Sequence, residues 1–132
     1  MSEANVELAR RFADWFNARD VEAAQAHSTG DVEIVPLRAA MEDTAYRGPG
    51  AFAAFAADND ESWIELRFDV EECRDAGERV VVMGQLLARA RVTGADVEAR
   101  VALLFEFRGG LLSRGRNDLD IAEALQVAGV SE

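Results

Sequence analysis

Residues 78–120 read ERVVVMGQLLARARVTGADVEARVALLFEFRGGLLSRGRNDLD. Val and Leu crowd the run Arg79–Val92, Thr93-Gly94-Ala95-Asp96 breaks it, and Val97–Arg108 forms a second run. Gly109-Gly110 is a two-residue hairpin signal, after which Leu111–Asp118 reads as a third strand. Most strands have about five or six residues, so these are long. Long strands in a twisted sheet curl, and a curled sheet can hold a cavity on its concave side. The stretch before residue 78 then has the task of filling or covering that concavity.

Working back toward the N-terminus, Trp63–Arg74 is a further long strand, with Ile64, Leu66, Phe68 and Val70 alternating against Glu65, Arg67, Asp69 and Glu71. Asp75-Ala76-Gly77 turns it into the quoted stretch. Gly48-Pro49 opens a helix whose buried stripe is Phe52, Phe55 and Ala56, and Asp58–Glu61 closes it. Val32–Leu37 is a short strand after the turn Ser28–Asp31. Arg38–Asp43 is a loop, and Thr44–Arg47 a short extended piece. Leu8, Ala9, Phe12, Ala13 and Phe16 fall at helical spacing and define the first helix, which Asn17–Asp20 ends. Asp20 is placed to cap a second helix, Val21–His27. Beyond the quoted stretch, Ile121–Ala128 reads as a terminal helix. The order of helices, a short strand, a helix and then four long antiparallel strands predicts an α+β domain with its helices on one face of the sheet.

Composition bounds the function. The 132 residues are enough for one domain, with 49% hydrophobic and 30% charged side chains. No apolar run approaches the ~18 residues of a membrane span, and Met1–Asn5 lacks a signal-peptide pattern, so a cytoplasmic protein is expected. The formal net charge of −11 opposes nucleic acid and anionic membranes. Every cation is Arg, which removes lysine Schiff-base chemistry and the P-loop lysine. Cys73, the single cysteine, has no partner for a disulfide or a zinc cluster. The acidic run Asp58–Glu61 lacks the ligand order and turn glycine of a calcium loop, so it reads as a solvated helix end. No metal or cofactor is expected.

Several short pieces, in this order and spacing, resemble the SnoaL-like group of the NTF2-like (ketosteroid-isomerase-like) superfamily. They are Phe16–Ala23, Asp31-Val32-Glu33, Tyr46-Arg47-Gly48, Asp75–Val82 and Asp120–Leu125. The resemblance spans nearly the whole chain as a single domain, 1–132. It implies a cone, in which a curved antiparallel sheet wraps around N-terminal helices and encloses a central pocket. It does not imply one activity, because this fold hosts enzymes, binders and interaction modules.

The family's catalytic positions map onto this chain residue by residue. The isomerase phenol falls on Phe12, the carboxylate base on Val35 and the protonated carboxyl on Leu103. None of these side chains can exchange a proton, so the isomerase set is missing. The Arg and Asp that the epoxide hydrolases of this fold carry two apart on one strand are replaced within Gln85-Leu86-Leu87. The polyketide cyclases of the group carry an acid/base Asp at the position of Asp120. Such a carboxylate takes a proton from carbon beside a carbonyl and returns one to the new alkoxide. Asp120-Ile121-Ala122-Glu123 also has capping-box spacing, and the N-cap is the favoured reading of Asp120 over the acid/base one.

Strand alternation supplies further candidates. With Leu103 facing inward, Val101, Phe105 and Phe107 do too, and on the last strand Ser113, Gly115, Asn117 and Leu119 follow. The expected pocket is Phe12, Phe16, Val35, Phe55, Leu103, Phe105 and Leu119, with Asn117 as its polar contact. His27, the only imidazole, is either an acid/base or a partner for the end of the second helix. Glu33 shares a face with Val35, and Tyr46 is a phenol for the cavity mouth or for packing. Arg89, Arg91, Arg114 and Arg116 are expected on the convex face, pairing with Glu98, Glu106 and Asp118. Leu87, Ala102 and Leu104 among them would make an apolar strip for a homodimer. Two functions stay open: a domain that binds a neutral organic molecule, or a polyketide-cyclase or isomerase-type enzyme using Asp120 with His27 or Asn117.

Overall fold

The structure, a computed structural model, describes residues 3–36 and 45–118. Leu37, the expected loop Arg38–Asp43, Thr44, Leu119, Asp120 and the expected terminal helix Ile121–Ala128 lie outside them. Helix α1 (Glu3–Ala18) buries Leu8, Ala9, Phe12 and Ala13, the stripe its spacing predicts. The chain leaves α1 through Arg19, whose φ of 60° is left-handed and ends the helix. Asp20 then caps α2 (Val21–Ala26), accepting a 3.1 Å hydrogen bond from the Ala23 N–H. Helix α3 (Ala51–Ser62) follows Gly48-Pro49-Gly50 and carries the acidic run in its last turns.

The strands are β1 (Ser28–Val35), β2 (Tyr46–Arg47), β3 (Trp63–Ala76), β4 (Arg79–Ala90), β5 (Asp96–Arg108) and β6 (Leu111–Asp118). They form one six-stranded sheet in the order β2-β1-β6-β5-β4-β3. All neighbours are antiparallel except β1 and β6, which run parallel. The sheet is therefore mixed rather than wholly antiparallel. Gly109 and Gly110, at φ of 61° and 80°, make the hairpin turn the sequence announces. Ser28–Asp31 is not a turn; it belongs to β1, whose register against β6 shifts between Ser28 and Glu33.

The sheet is curved and unclosed, and the helices cover its concave face. The core there joins Leu8, Ala9, Phe12 and Ala13 to Phe68, Val80, Val82, Val101, Phe105, Phe107 and Leu112. Irregularities in the strands shape the curve. β3 slips between Val70 and Glu72, which turns Cys73 toward this core. Burial raises the Cys73 thiol pKa, as befits packing rather than nucleophilic use. At Gly84 a Cβ would lie 2.0 Å from the Asp69 carbonyl oxygen, so only glycine lets β3 and β4 approach there.

The opposite face differs from expectation. Ala102 and Leu104 are 0% and 3% exposed, in a second apolar cluster with Val81 and Met83. They are interior residues of the single chain, so they do not form an exposed strip. The arginines pair largely across strands, as charge alternation suggests, with some changes of partner. Arg89 meets Asp96 at 2.9 Å, Arg114 meets Glu33 at 2.9 Å and Glu106 at 3.5 Å, and Arg79 also reaches Glu106 at 3.3 Å. Arg91 turns instead to the Asp60 and Trp63 carbonyls. No helix is long and apolar enough to cross a membrane among the described residues.

Candidate functional site: an apolar cavity inside the cone

Between α1, α3 and the concave face lies a cavity of about 80 Å³. Helix α1 contributes Phe12, Ala13 and Phe16, and α3 contributes Phe52 and Phe55. The sheet supplies Ile34, Phe68, Leu86, Val101, Leu103, Phe105, Gly115 and Asn117. Helical spacing explains the first group, since residues three or four apart share a face. The period of two explains Val101, Leu103 and Phe105 on β5. Gly115 stands opposite Phe105 in the ladder, and a Cβ on it would come 3.4 Å from the Phe105 ring. Its missing side chain is part of why there is room.

The aromatic rings define the walls. Phe12 lies parallel to Phe52 with centroids 6.0 Å apart and 5.9 Å from Phe105. Phe16 lies 6.2 Å from Phe55, which takes the Tyr46 ring edge-on at 5.5 Å. The helix wall is tied down at two places. The Asn17 amide bonds the Phe68 backbone, and the Tyr46 hydroxyl donates to Asp58 Oδ2 at 2.5 Å. Tyr46 is thus a buried link between β2 and α3, and it does not line the cavity.

Of the expected pocket residues, Phe12, Phe16, Phe55, Leu103, Phe105 and Asn117 come together here. Val35 does not, and Ile34 takes its place. Ile34 pairs with Gly115, which faces the cavity, so Val35 and Glu33 point the other way. Ser113 is likewise displaced. Phe107 pairs with Leu112 and Glu106 with Arg114, leaving Ser113 as a bulge whose hydroxyl donates to the Glu106 carbonyl at 2.9 Å. Leu112 occupies the core in its stead. Leu119 and Asp120 lie outside the described residues. Lining residues left out of the expected pocket include Phe52, which was read only as part of the helix stripe, Phe68, which was read only as part of the alternation of β3, and Leu86.

His27 is not on the cavity wall. It ends α2, with Nδ1 donating to the Ala23 carbonyl at 2.8 Å and its ring 4.7 Å from that of Trp15. The helix-end alternative for this imidazole describes its contacts. Glu33 lies between Arg47 and Arg114, at 2.7 and 2.9 Å. Partial burial pulls its pKa upward, but hydrogen bonds from Arg114 and Arg47 outweigh that and hold it below the ordinary 4.5. Asn117 is then the one polar side chain among the described lining residues, and no charged side chain lines the cavity among them. Among the described residues no group of three or more His, Cys, Asp or Glu could hold a metal ion.

A helix-covered, curved and unclosed sheet around an internal cavity is the architecture of the NTF2-like, ketosteroid-isomerase-like proteins. Residues 9–115 match the SnoaL-like domain family, and the chain belongs to that family. Its fold is similar to an NTF2-like protein of unknown function from Burkholderia pseudomallei, with TM-score 0.79, 23% identity, and 97% of this chain and 98% of that one covered. It is also similar to TerC, crystallised with polyporic acid, at TM-score 0.78 and 21% identity over 96% and 99% of the two chains. A protein from Jannaschia sp. CCS1, provisionally named a SnoaL-like polyketide cyclase, aligns at TM-score 0.77 and 21% identity over 100% and 98%. At these identities the likeness is one of fold. No curated protein matches significantly in sequence.

Proposed function

We propose that the protein is a SnoaL-like small-molecule-binding domain whose cavity takes a neutral organic ligand. The observation that carries this reading is the lining: aromatic and aliphatic groups with a single carboxamide, Asn117, among the described residues. Such a site favours burial of apolar area with one oriented hydrogen bond. A phosphate or carboxylate would find no cation among the described lining residues, and the net charge of −11 opposes its approach. That TerC was crystallised with polyporic acid is in keeping with an organic ligand in this fold. A homodimer through the convex face remains part of this reading, but it would have to use half-buried Leu87 and its neighbours, because Ala102 and Leu104 are buried within the chain.

A thermal-shift panel of neutral ketones and phenols against sugar phosphates and dicarboxylates tests the proposal. Stabilisation by the neutral group is expected, and stabilisation by the anions alone would overturn it. Asn117→Leu is expected to weaken carbonyl ligands by about 1 kcal/mol and leave hydrocarbons almost unaffected.

The second reading is a cyclase- or isomerase-type enzyme, supported by structural neighbours named as polyketide cyclases. With His27 off the cavity wall, that reading rests on Asp120, aided by Asn117. Asn caps helices about as well as Asp but cannot exchange a proton. Asp120→Asn should therefore abolish any activity under the catalytic reading and spare it if Asp120 is only a cap.

A further inference from the structure

The face of the sheet away from the helices carries a sealed apolar cluster. Alternation turns Val82, Leu103 and Phe105 toward the helix-covered core, and so turns Val81, Met83, Ala102 and Leu104 the other way. Val81 and Ala102 are 0% exposed, and Met83 and Leu104 3%. Among the described residues only Ala76 packs against them, and no residue of α1, α2 or α3 belongs to the cluster. A sheet face becomes this inaccessible only under a further layer.

The ladder frames the cluster with charge. Arg116, Leu104, Val81 and Arg74 lie in one row across β6, β5, β4 and β3, and Asp118, Ala102, Met83 and Glu72 in the next. Strand β6 ends at Asp118, directly opposite Ala102, so residues 119–132 set out from the edge of the cluster. In that stretch Ile121, Ala124, Leu125 and Ala128 fall at i, i+3, i+4 and i+7, which is one helical face. Glu123 and Gln126 lie off that face, and Gly129 follows as a stop signal. A helix over 121–128 would be about 12 Å long, and strands are about 4.8 Å apart, so the stripe can cross β5 and β4. The concave side is already taken by α1, α2 and α3.

We propose that residues 121–128 form a helix that docks on this cluster, with Ile121 and Leu125 on Val81, Met83, Ala102 and Leu104. Its acidic start, Asp120 and Glu123, then lies toward Arg116, where the charges are complementary. Asn117 faces the cone cavity and Asp118 the other side, so continued alternation sends Asp120 to the side of Asp118. The Asp120 carboxylate is thereby outside the cone cavity, and its service is to cap the helix rather than to move a proton. The docking stands whatever the cavity binds.

The test is a methyl NOE measurement on the full chain with Ile, Leu, Val and Met methyls labelled. Contacts from Ile121 and Leu125 to Val81, Met83 and Leu104 are expected. Contacts to Leu86 and Leu103 instead would carry the segment, and Asp120 with it, to the cone cavity and overturn the proposal. An absence of contacts with the sheet would overturn it too. So would contacts seen only between labelled and unlabelled chains in a mixed sample, which make the occupant of this face a second copy. Oxidation of Met83 by hydrogen peroxide, read by peptide mass spectrometry, is the second measurement, because a shielded thioether reacts slowly. Leu125→Asp should speed that oxidation by about tenfold and lower the melting temperature by about 10 °C. Unchanged oxidation and melting reject the docking. The wild-type contacts decide the matter if the variant does not fold.

Discussion

Asn17 and Phe68 exchange two hydrogen bonds. Asn17 Nδ2 donates to the Phe68 carbonyl at 2.8 Å, and the Phe68 N–H donates to Asn17 Oδ1 at 2.8 Å. The carboxamide acts as a peptide unit for the strand, fixing the end of α1 beside a residue whose ring lines the cavity. Asn17→Ala removes both bonds and leaves two backbone groups to be rehydrated. We expect a loss of about 1–3 kcal/mol in chemical denaturation. Asn17→Asp, which keeps only the acceptor, should fall between Ala and wild type.

Gly115 tests whether the cavity is the binding site. Gly115→Leu places a side chain against the Phe105 ring, where a Cβ already makes contact at 3.4 Å. Every ligand-induced thermal shift attributed to the cone cavity should disappear, while overpacking lowers stability by about 1–3 kcal/mol. Gly115→Ala should fold well and retain part of the binding. Unchanged binding in Gly115→Leu would place the ligand elsewhere.

Glu33 sets part of the acid limit of stability. Its folded pKa is depressed below the ordinary 4.5 by Arg114 and Arg47, despite the opposing effect of burial. A depressed carboxyl contributes stability that is fully present above its unfolded pKa and fades as pH falls through the lower folded value. The melting temperature of wild type should therefore drop more steeply than that of Glu33→Gln below about pH 4.5. Parallel melting curves for the two proteins would reject this role.

Leu104 reports on the face away from the helices. It is 3% exposed, beside Val81 and Ala102. Leu104→Arg buries an unpaired charge and should cost about 3–5 kcal/mol, visible as lost or low-temperature melting in circular dichroism. A variant that melts like wild type but changes its mass in light scattering would show instead that this residue serves an interface.

The architecture was legible because the strands are long and their punctuation is clear. Gly109-Gly110 fixes one hairpin, and the alternation from Val101 to Phe107 fixes which side of β5 faces the helices. The same alternation placed Leu103, Phe105 and Asn117 on the cavity. Val35 was placed by the position of the isomerases' base on the first strand, and β1 has no internal phase to correct it, because Val32, Ile34 and Val35 are all apolar. Its phase comes from a distant partner, Gly115 opposite Ile34. Ser113 was misplaced because a bulge inserts one residue, and nothing in Leu111–Arg114 marks it. Asn59 sits within Asp58–Glu61, which reads as solvated. Its burial comes from packing among α1, α2 and α3, which no local pattern records.

The parallel pairing of β1 with β6 has a consequence for synthesis on the ribosome. These are the first and last described strands, joined as the second and third strands of the sheet. A nascent chain that has already extruded α1 carries Phe12 and Phe16 without Phe68, Val101 or Phe105 to receive them. Non-local pairings of this kind close slowly, and aromatic surface left waiting invites association with other chains. The yield of soluble protein should therefore depend on how quickly residues 96–118 follow. Slow codons placed just before that stretch should lower it, and a holdase chaperone should restore it.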